Sequence, residues 1–380
     1  MNHRLAYLII LSLCAKFATS QEVGLTPMVD LSVHQDSNIY RTSAEVDGTI
    51  IQVAPEFAYA TQYGKHDFQA LYKGNYAKYQ DNNNLDYFEH EMFAKAKLDL
   101  SHKFASDLGF GYQDSIEQPG STNALSQQLD ELNQRTTKGI SASLFYGTKQ
   151  STGQLVGKYA YKQLEYTNNG QAFRDYNSDT VTGTFFYRVA PKTRLLLEAS
   201  AAQLGYQNTQ FVDNSSRQTS YLAGVEWNAT AITSSTFKIG YQDVDYDVEN
   251  LADLSGLSYF LDMVWKPNTY SILKIGASRA ARESAEQSLG GYISSEYDIN
   301  LAHEFTSNTQ FSIGYRYTDF DYNNNQSRKD ELKNLTAKLS YQSKYWLQLY
   351  IEYENSKRDS ELEFYNYDAS IVTLGANASF

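Results

Sequence analysis

The histidines are the residues of this sequence best suited to acid–base or metal chemistry, but they are scattered. After residue 20 they stand at His34, His66, His90, His102 and His303. No two of them are two or four residues apart, the spacings that place two metal ligands on one face of a strand or a helix. The sequence therefore predicts no metal site, no cofactor and no catalytic residue.

One acidic stretch imitates the start of a calcium-binding loop. It runs from Asp243 to Glu249 with acids at alternate positions. A calcium loop of this kind needs glycine at its sixth position and glutamate at its twelfth, and these positions hold Val248 and Leu254. We interpret the stretch as an exposed acidic loop.

Most other charged residues stand at alternate positions between apolar ones, so a strand would turn them all to one side. Charges of both signs on one face indicate that this face lines a water-filled interior of the fold, because a dry interior could not hold unpaired charges. Inward aromatic residues could offer flat surfaces to sugars or simply fill space; they include Phe145, Phe186 and Phe260. The candidate lumen-lining residues are Lys73, Lys95, Lys97, Lys158, Lys162, Arg188, Arg194, Glu198, Glu226, Lys238, Asp262, Lys274, Arg316, Lys338, Trp346, Tyr350, Glu352 and Glu354.

The elements that carry these residues have a period of two. In 345–354, Tyr345, Leu347, Leu349, Ile351 and Tyr353 share one face, and the polar or charged positions share the other. The same alternation recurs along the whole chain, in 237–242, 259–265, 311–318 and 335–341 among other segments. One such strand proves little, but its repetition predicts an all-β chain whose two faces meet different solvents.

Composition indicates that one of those solvents is lipid. The chain holds 32 Tyr, 19 Phe and 3 Trp, yet its mean hydropathy is −0.52. After residue 20 no apolar run approaches the ~18 residues of a spanning helix. In a transmembrane barrel only every second residue meets lipid, and tyrosine gathers at the interfaces. With 32 Lys and Arg against 44 Asp and Glu, the charge excludes nucleic acid as a partner.

Turn signals sort the connections into short and long ones. Eight short and nine long connections require about 18 antiparallel strands, with short periplasmic turns and long extracellular loops. The short connections fall at 63–66, 104–107, 147–152, 190–193, 228–234, 266–269, 304–308 and 342–344. The long ones fall at 36–48, 80–87, 114–136, 167–178, 208–217, 243–256, 282–291, 319–330 and 356–367. Pro55 falls inside a predicted strand, where it must cost a hydrogen bond or mark a bulge.

The two ends of the chain point to the same compartment. Residues 1–20 read as a cleavable signal peptide with a basic start, a short apolar run and small residues at its end. Residues 21–380 then form one barrel in the bacterial outer membrane. The last strand ends in Phe380 on its lipid face, which predicts an assembly signal read by the barrel assembly machinery.

Several short motifs resemble a family of outer-membrane barrels found with exopolysaccharide and capsule export systems, the putative β-barrel porin 2 group. They are the opening segment 29–41, the segment 53–57 that contains Pro55, the tyrosines Tyr72, Tyr76 and Tyr79, and the turn 187–193. The family motif would have Asp-Asn before Ile39-Tyr40, whereas this chain has one residue more there, Asp36-Ser37-Asn38. The resemblance implies a role in export of a polysaccharide and identifies no catalytic residue.

The sequence is compatible with three functions. The resemblance favours an outer-membrane channel for an exopolysaccharide or capsular polysaccharide, working with a periplasmic polysaccharide-export protein. A general or solute-selective diffusion porin would need the same lumen, and a structural or receptor barrel closed by its loops is the third. In each case the partners include outer-membrane lipid and lipopolysaccharide.

Overall fold

A computed structural model describes residues 23–121, 130–209, 213–230, 232–249, 251–284, 290–322 and 328–380. The predicted signal peptide lies outside these residues. The described ranges form eighteen strands. In chain order they are β1 Gly24–Asp36, β2 Gly48–Tyr63, β3 His66–Tyr79, β4 Tyr87–Asp99, β5 Phe104–Ile116, β6 Gln134–Tyr146, β7 Gly153–Tyr166, β8 Tyr176–Ala190, β9 Thr193–Tyr206, β10 Ser216–Thr230, β11 Thr233–Tyr246, β12 Leu254–Trp265, β13 Ser271–Glu283, β14 Gly291–Thr306, β15 Thr309–Asp321, β16 Lys329–Lys344, β17 Leu347–Ser360 and β18 Tyr367–Ser379.

The strands close into a barrel. Each strand pairs antiparallel with its neighbours in the chain, and β1 pairs with both β2 and β18. Val33 of β1 thus lies opposite Ile51 on one side and Leu374 on the other. Closure leaves no strand edge in the lipid, where unpaired backbone groups would be costly. The predicted all-β barrel of about 18 strands is confirmed.

The two faces of the wall differ as the alternation predicts. On β9, Leu195 and Leu197 are exposed on the outer face, whereas Arg194, Leu196 and Glu198 lie on the inner face and are shielded. In the bilayer the outer face meets lipid tails, so exposed leucine there is stabilising. Among the described residues, no helix is long and apolar enough to cross a membrane.

The nine long connections lie at one end of the barrel, as predicted, but the strands extend into them. β11 includes Asp243 to Tyr246, so the first half of the acidic stretch is strand and not loop. Two short turns are also displaced. The predicted turn 104–107 belongs to β5 and the chain turns at 100–103, while 342–344 belongs to β16 and the chain turns at 345–346. Polar residues cluster at both the predicted and the observed positions. The first turn is closed by a hydrogen bond from the Phe104 N–H to the Ser101 carbonyl at 3.2 Å.

Pro55 interrupts the wall without shifting its register. The β2–β3 ladder pairs Val53 with Tyr76 and resumes at Glu56 with Lys73, so the strands stay in step across the gap. Proline has no N–H to donate, so a ladder bond is missing where no bulge forms. Gly74 faces the ring across the gap, and a Cβ at Gly74 would lie only 3.2 Å from the Pro55 Cγ.

Candidate solute pathway through the barrel

The inner face carries all but one of the residues that the sequence places there. Each of these residues lies on the face opposite the exposed apolar residues of its strand. Trp346 does not: it lies in the turn after β16, outside the strands, and stacks on Phe380 with the ring centroids 6.0 Å apart. The inward candidates are Lys73 on β3, Lys95 and Lys97 on β4, Lys158 and Lys162 on β7, Arg188 on β8, Arg194 and Glu198 on β9, Glu226 on β10, Lys238 on β11, Asp262 on β12, Lys274 on β13, Arg316 on β15, Lys338 on β16, and Tyr350, Glu352 and Glu354 on β17.

Many of these charges form ion pairs with inward residues of other strands. Lys238 contacts Glu198 at 2.8 Å, Lys338 contacts Glu352 at 2.9 Å, and Arg194 contacts Glu226 at 2.6 Å. Lys95 and Lys73 have partners that the sequence did not single out, Asp107 at 3.0 Å and Glu56 at 3.3 Å. Pairing keeps a bore of mixed sign hydrated without a large net field.

Three of the inward aromatic rings lie beneath cations. The Arg194 guanidinium carbon is 4.2 Å from the Phe186 ring centroid, and Lys338 Nζ is 3.7 Å from that of Tyr350. Lys238 Nζ is 5.7 Å from the ring of Phe260. Cation–π contacts of this kind occupy a ring face, so these faces are not free for stacking on a sugar.

One inward histidine has a serine as its partner. Ser32 stands two residues before His34 on β1, with its Oγ 2.9 Å from His34 Nε2, and Thr373 Oγ1 is 2.8 Å from Nδ1. Ser32 and His34 are not among the candidate residues singled out from the sequence. The three side chains bridge β1 to β18 across the closure of the barrel.

The outer end of the bore is narrowed by the loop between β5 and β6, residues 117–133, here called the third outer loop. Its described part reaches β18, five strands along the ring from β5, where the Tyr367 hydroxyl donates to the Gly120 carbonyl at 3.2 Å. Gly120 has φ +68°, and a Cβ there would lie 2.7 Å from Arg41. Only glycine allows both the left-handed backbone and this close approach.

A buried ion pair holds this loop. Arg174, in the connection between β7 and β8, donates two hydrogen bonds to the Glu117 carboxylate at 2.6 and 2.9 Å. Glu117 is only 3% exposed and also accepts hydrogen bonds from Asn133 and the Tyr166 hydroxyl. Burial alone would raise the pKa of Glu117, but the Arg174 charge together with the hydrogen bonds from Arg174 and Asn133 outweighs it and holds that pKa below its ordinary value. The carboxylate is therefore ionised at neutral pH and clamps two outer loops together.

A second clamp lies on the other side of the mouth. Asp330, at the start of β16, is fully buried and accepts hydrogen bonds from Arg328 at 3.0 and 2.6 Å. Arg358 of β17 bonds the same carboxylate at 2.5 Å, and Ser360 bonds it as well. The Tyr365 ring packs on Arg328, with its centroid 3.7 Å from the guanidinium carbon.

The end of the β13–β14 hairpin bends into the bore. β12 pairs with β13 only as far as Arg279, whereas β13 and β14 stay paired up to Glu283 and Gly291. Beyond Arg279 the Ala281 N–H donates to the Gln242 side chain of β11 at 3.1 Å, and Gln218 of β10 donates to Glu283 at 3.2 Å. Because both glutamines point inward, the hairpin end lies against the inner wall. No pattern in the sequence distinguishes it from the other hairpins.

Beneath the third outer loop the bore holds a cavity of about 430 Å³. Its lining extends from Glu354 on β17, past β1 to β5, to Lys162 on β7. The strands from β17 through β1 to β7 make up one half of the ring of eighteen, so the cavity lies against that half of the wall. Among the described residues, no group of three or more His, Cys, Asp or Glu is arranged to hold a metal ion.

The barrel has counterparts in fold among solved structures. Its fold is similar to solved structures from Pseudomonas aeruginosa. OccK2 (OpdF) has a TM-score of 0.54 at 11% identity, covering 95% of this chain and 100% of that one. OccK1 (OpdK) has a TM-score of 0.51 at 11% identity, covering 94% and 99%. At these identities the likeness concerns the fold.

Among curated protein sequences, none matches this chain. The family model described as putative beta-barrel porin 2 matches residues 24–380, from the first residue of β1 to Phe380. The match covers every described strand, and the resemblance seen in the short motifs is thereby confirmed for the whole barrel. The chain belongs to the putative beta-barrel porin 2 family and is a porin-type barrel of the bacterial outer membrane.

Proposed function

We propose that this barrel is a channel through which small polar solutes diffuse across the outer membrane. The observation that carries the proposal is the bore itself: it is lined by paired charges and narrows at its outer end to a cavity of about 430 Å³. Sites for small molecules have volumes of roughly 300–1,000 Å³. Such a space suits one small solute at a time.

Export of a polysaccharide, the function implied by the resemblance, has no support in the comparisons, and the diffusion porin fits them better. A sugar chain moving outward needs an open path and bare aromatic faces. Here the third outer loop covers part of the mouth, where Tyr367 contacts Gly120. The rings of Phe186 and Tyr350 lie beneath Arg194 and Lys338. OpdK, which is similar in fold, has a solved structure with vanillate.

The test is transport by the purified, refolded barrel. We expect ion conductance in planar bilayers, and swelling of liposomes in amino acids and monosaccharides but not in oligosaccharides. The matched experiment in cells is a clean gene deletion, which should slow uptake of small solutes and leave surface polysaccharide unchanged. Loss of surface polysaccharide with normal solute uptake would overturn the proposal in favour of polysaccharide export.

A further inference from the structure

The cavity beneath the third outer loop has acidic and basic groups on different parts of its wall. One pair, Asp36 with Arg41 at 2.8 Å, is already neutralised. The remaining charges that line it are Glu89, Glu91 and Glu354 on one side and Arg135 and Lys162 on the other. These five decide which solute the cavity suits.

The acidic groups on β4 are fixed in position but not neutralised by a direct pair. Asn75 donates to Glu89 at 3.0 Å, and the Ile116 N–H donates to its other oxygen at 3.2 Å. Both donors are neutral, so neither supplies a counter-charge to this carboxylate. Glu91 has a buried Oε1 that bonds no partner within the described residues.

The basic groups stand two strands away. Arg135 of β6 lies opposite Ser115 of β5 in the ladder, and β5 separates it from Glu89 on β4. Two strand spacings amount to roughly 10 Å between backbones. The Arg135 side chain interacts with the Tyr166 hydroxyl, which is neutral. Lys162 Nζ, bonded to the Tyr176 hydroxyl at 2.6 Å, lies on the next strand.

Ser115 is a second, independent sign that the cavity takes a ligand. It is only 4% exposed and lines the cavity between the two charged groups. Its Oγ has no hydrogen-bond partner within the described residues. A buried hydroxyl without a partner is costly, and a polar ligand in the cavity would satisfy it.

We propose that this cavity is a binding subsite for small zwitterionic solutes, with the ammonium end toward Glu89 and Glu91 and the carboxylate end toward Arg135 and Lys162. The proposal rests on the channel function and names its substrate class. A simple anion or cation compensates one side and leaves the other charged group facing it across a confined space. A zwitterion compensates both sides at once.

The test uses three probes of equal chain length: ε-aminocaproate as zwitterion, caproate as anion and hexylamine as cation. Each is titrated against the refolded barrel in detergent, and binding is measured by saturation-transfer NMR. We expect ε-aminocaproate to bind more tightly than either single-charge probe by on the order of tenfold, the scale of one charged hydrogen bond.

Two substitutions test the two ends separately. Arg135→Gln should remove the preference over hexylamine, and Glu91→Gln should weaken the preference over caproate. The matched controls are Arg217→Gln, on the outer face of β10, and Glu249→Gln, in an exposed loop, and both should bind as wild type does. Heat-modifiable migration on gels verifies that each variant is folded.

Equal binding of the three probes, or no saturable binding of ε-aminocaproate, would overturn the zwitterion subsite. Either result leaves the channel proposal standing if the same preparation conducts ions in bilayers. A barrel that binds ε-aminocaproate selectively but does not conduct would refute the channel and retain the subsite. The two failures are thus distinguishable.

Discussion

At the scale of single residues, the lumen is lined by charged side chains that form ion pairs with one another. Lys238 with Glu198, and Arg194 with Glu226, tie neighbouring parts of the wall together. Most such pairs face water and contribute little to stability. The pair of Glu117 and Arg174 differs because both side chains are buried, and breaking a buried pair typically costs about 3–5 kcal/mol.

Glu117→Gln should loosen the third outer loop. The substitution leaves the buried Arg174 without its counter-charge, so we expect more frequent current fluctuations in single-channel recordings at neutral pH. Gln171→Ala is the control, since Gln171 contacts the same arginine through a long 3.4 Å hydrogen bond. A quiet, wild-type-like channel in Glu117→Gln would show that the pair does not hold the loop.

The same pair predicts a dependence on pH. Because the folded pKa of Glu117 lies below its ordinary value of 4.5, its stabilising contribution is complete above that value and is lost as the pH falls through the lowered pKa. Wild-type recordings should therefore stay quiet from neutral pH down to about 4.5 and become noisy only in stronger acid. Noise that sets in near neutral pH would point to another titrating group.

At the scale of elements, the hairpins are alike in the membrane and differ at their outer ends. The β13–β14 hairpin bends inward because β12 no longer pairs with it beyond Arg279, and inward glutamines of β10 and β11 take over its polar groups. Ile293 also packs against Val244 and Leu254, which lie on the inner face of β11 and β12. The mouth is thus narrowed from two sides, by a loop and by a hairpin.

Gln242→Ala should widen the mouth. It removes the acceptor of the Ala281 N–H, and leaving a buried donor unsatisfied costs about 1–3 kcal/mol. We expect a larger single-channel conductance than that of wild type or of the control Gln35→Ala, which changes an exposed residue on the outer face of β1. An unchanged conductance would mean that the hairpin end does not limit the current.

At the scale of the whole molecule, the barrel depends on the meeting of its first and last strands. The Phe380 N–H donates to the Pro27 carbonyl of β1 at 3.0 Å, and the Phe380 ring stacks on Trp346. The ring is 71% exposed on the outer face, so it can touch lipid or the assembly machinery but no solute in the bore.

Phe380→Ala should lower the amount of folded barrel in outer membranes and leave the conductance of each assembled channel intact. The reason is that the side chain lies outside the pathway, at the closing strand. Phe305→Ala is the matched control, because Phe305 is 63% exposed at the end of β14 and lies far from the closure. Quantitative blots of membrane fractions check the prediction, and equal levels for Phe380→Ala and wild type would count against it.

The sequence by itself determined the class of fold, the number of strands and the face of the charged residues that it singled out. These follow from the period of two along each strand, which is a local property of the backbone. It also placed Phe380 on the outer face. Its placement of Trp346 on the inner face is wrong, because the alternation of β17 begins at Leu347 and was extended two residues back into the preceding turn.

Only the tertiary structure decided how the mouth is narrowed and which charges pair with one another. Tyr367 meets Gly120 across 247 residues of chain, and Arg174 meets Glu117 across 57. Contacts of this kind depend on where closure brings distant strands, and no local pattern encodes them. The sequence thus specified a wet bore, while the cavity with Glu91 on one side and Arg135 on the other exists only once the barrel is closed.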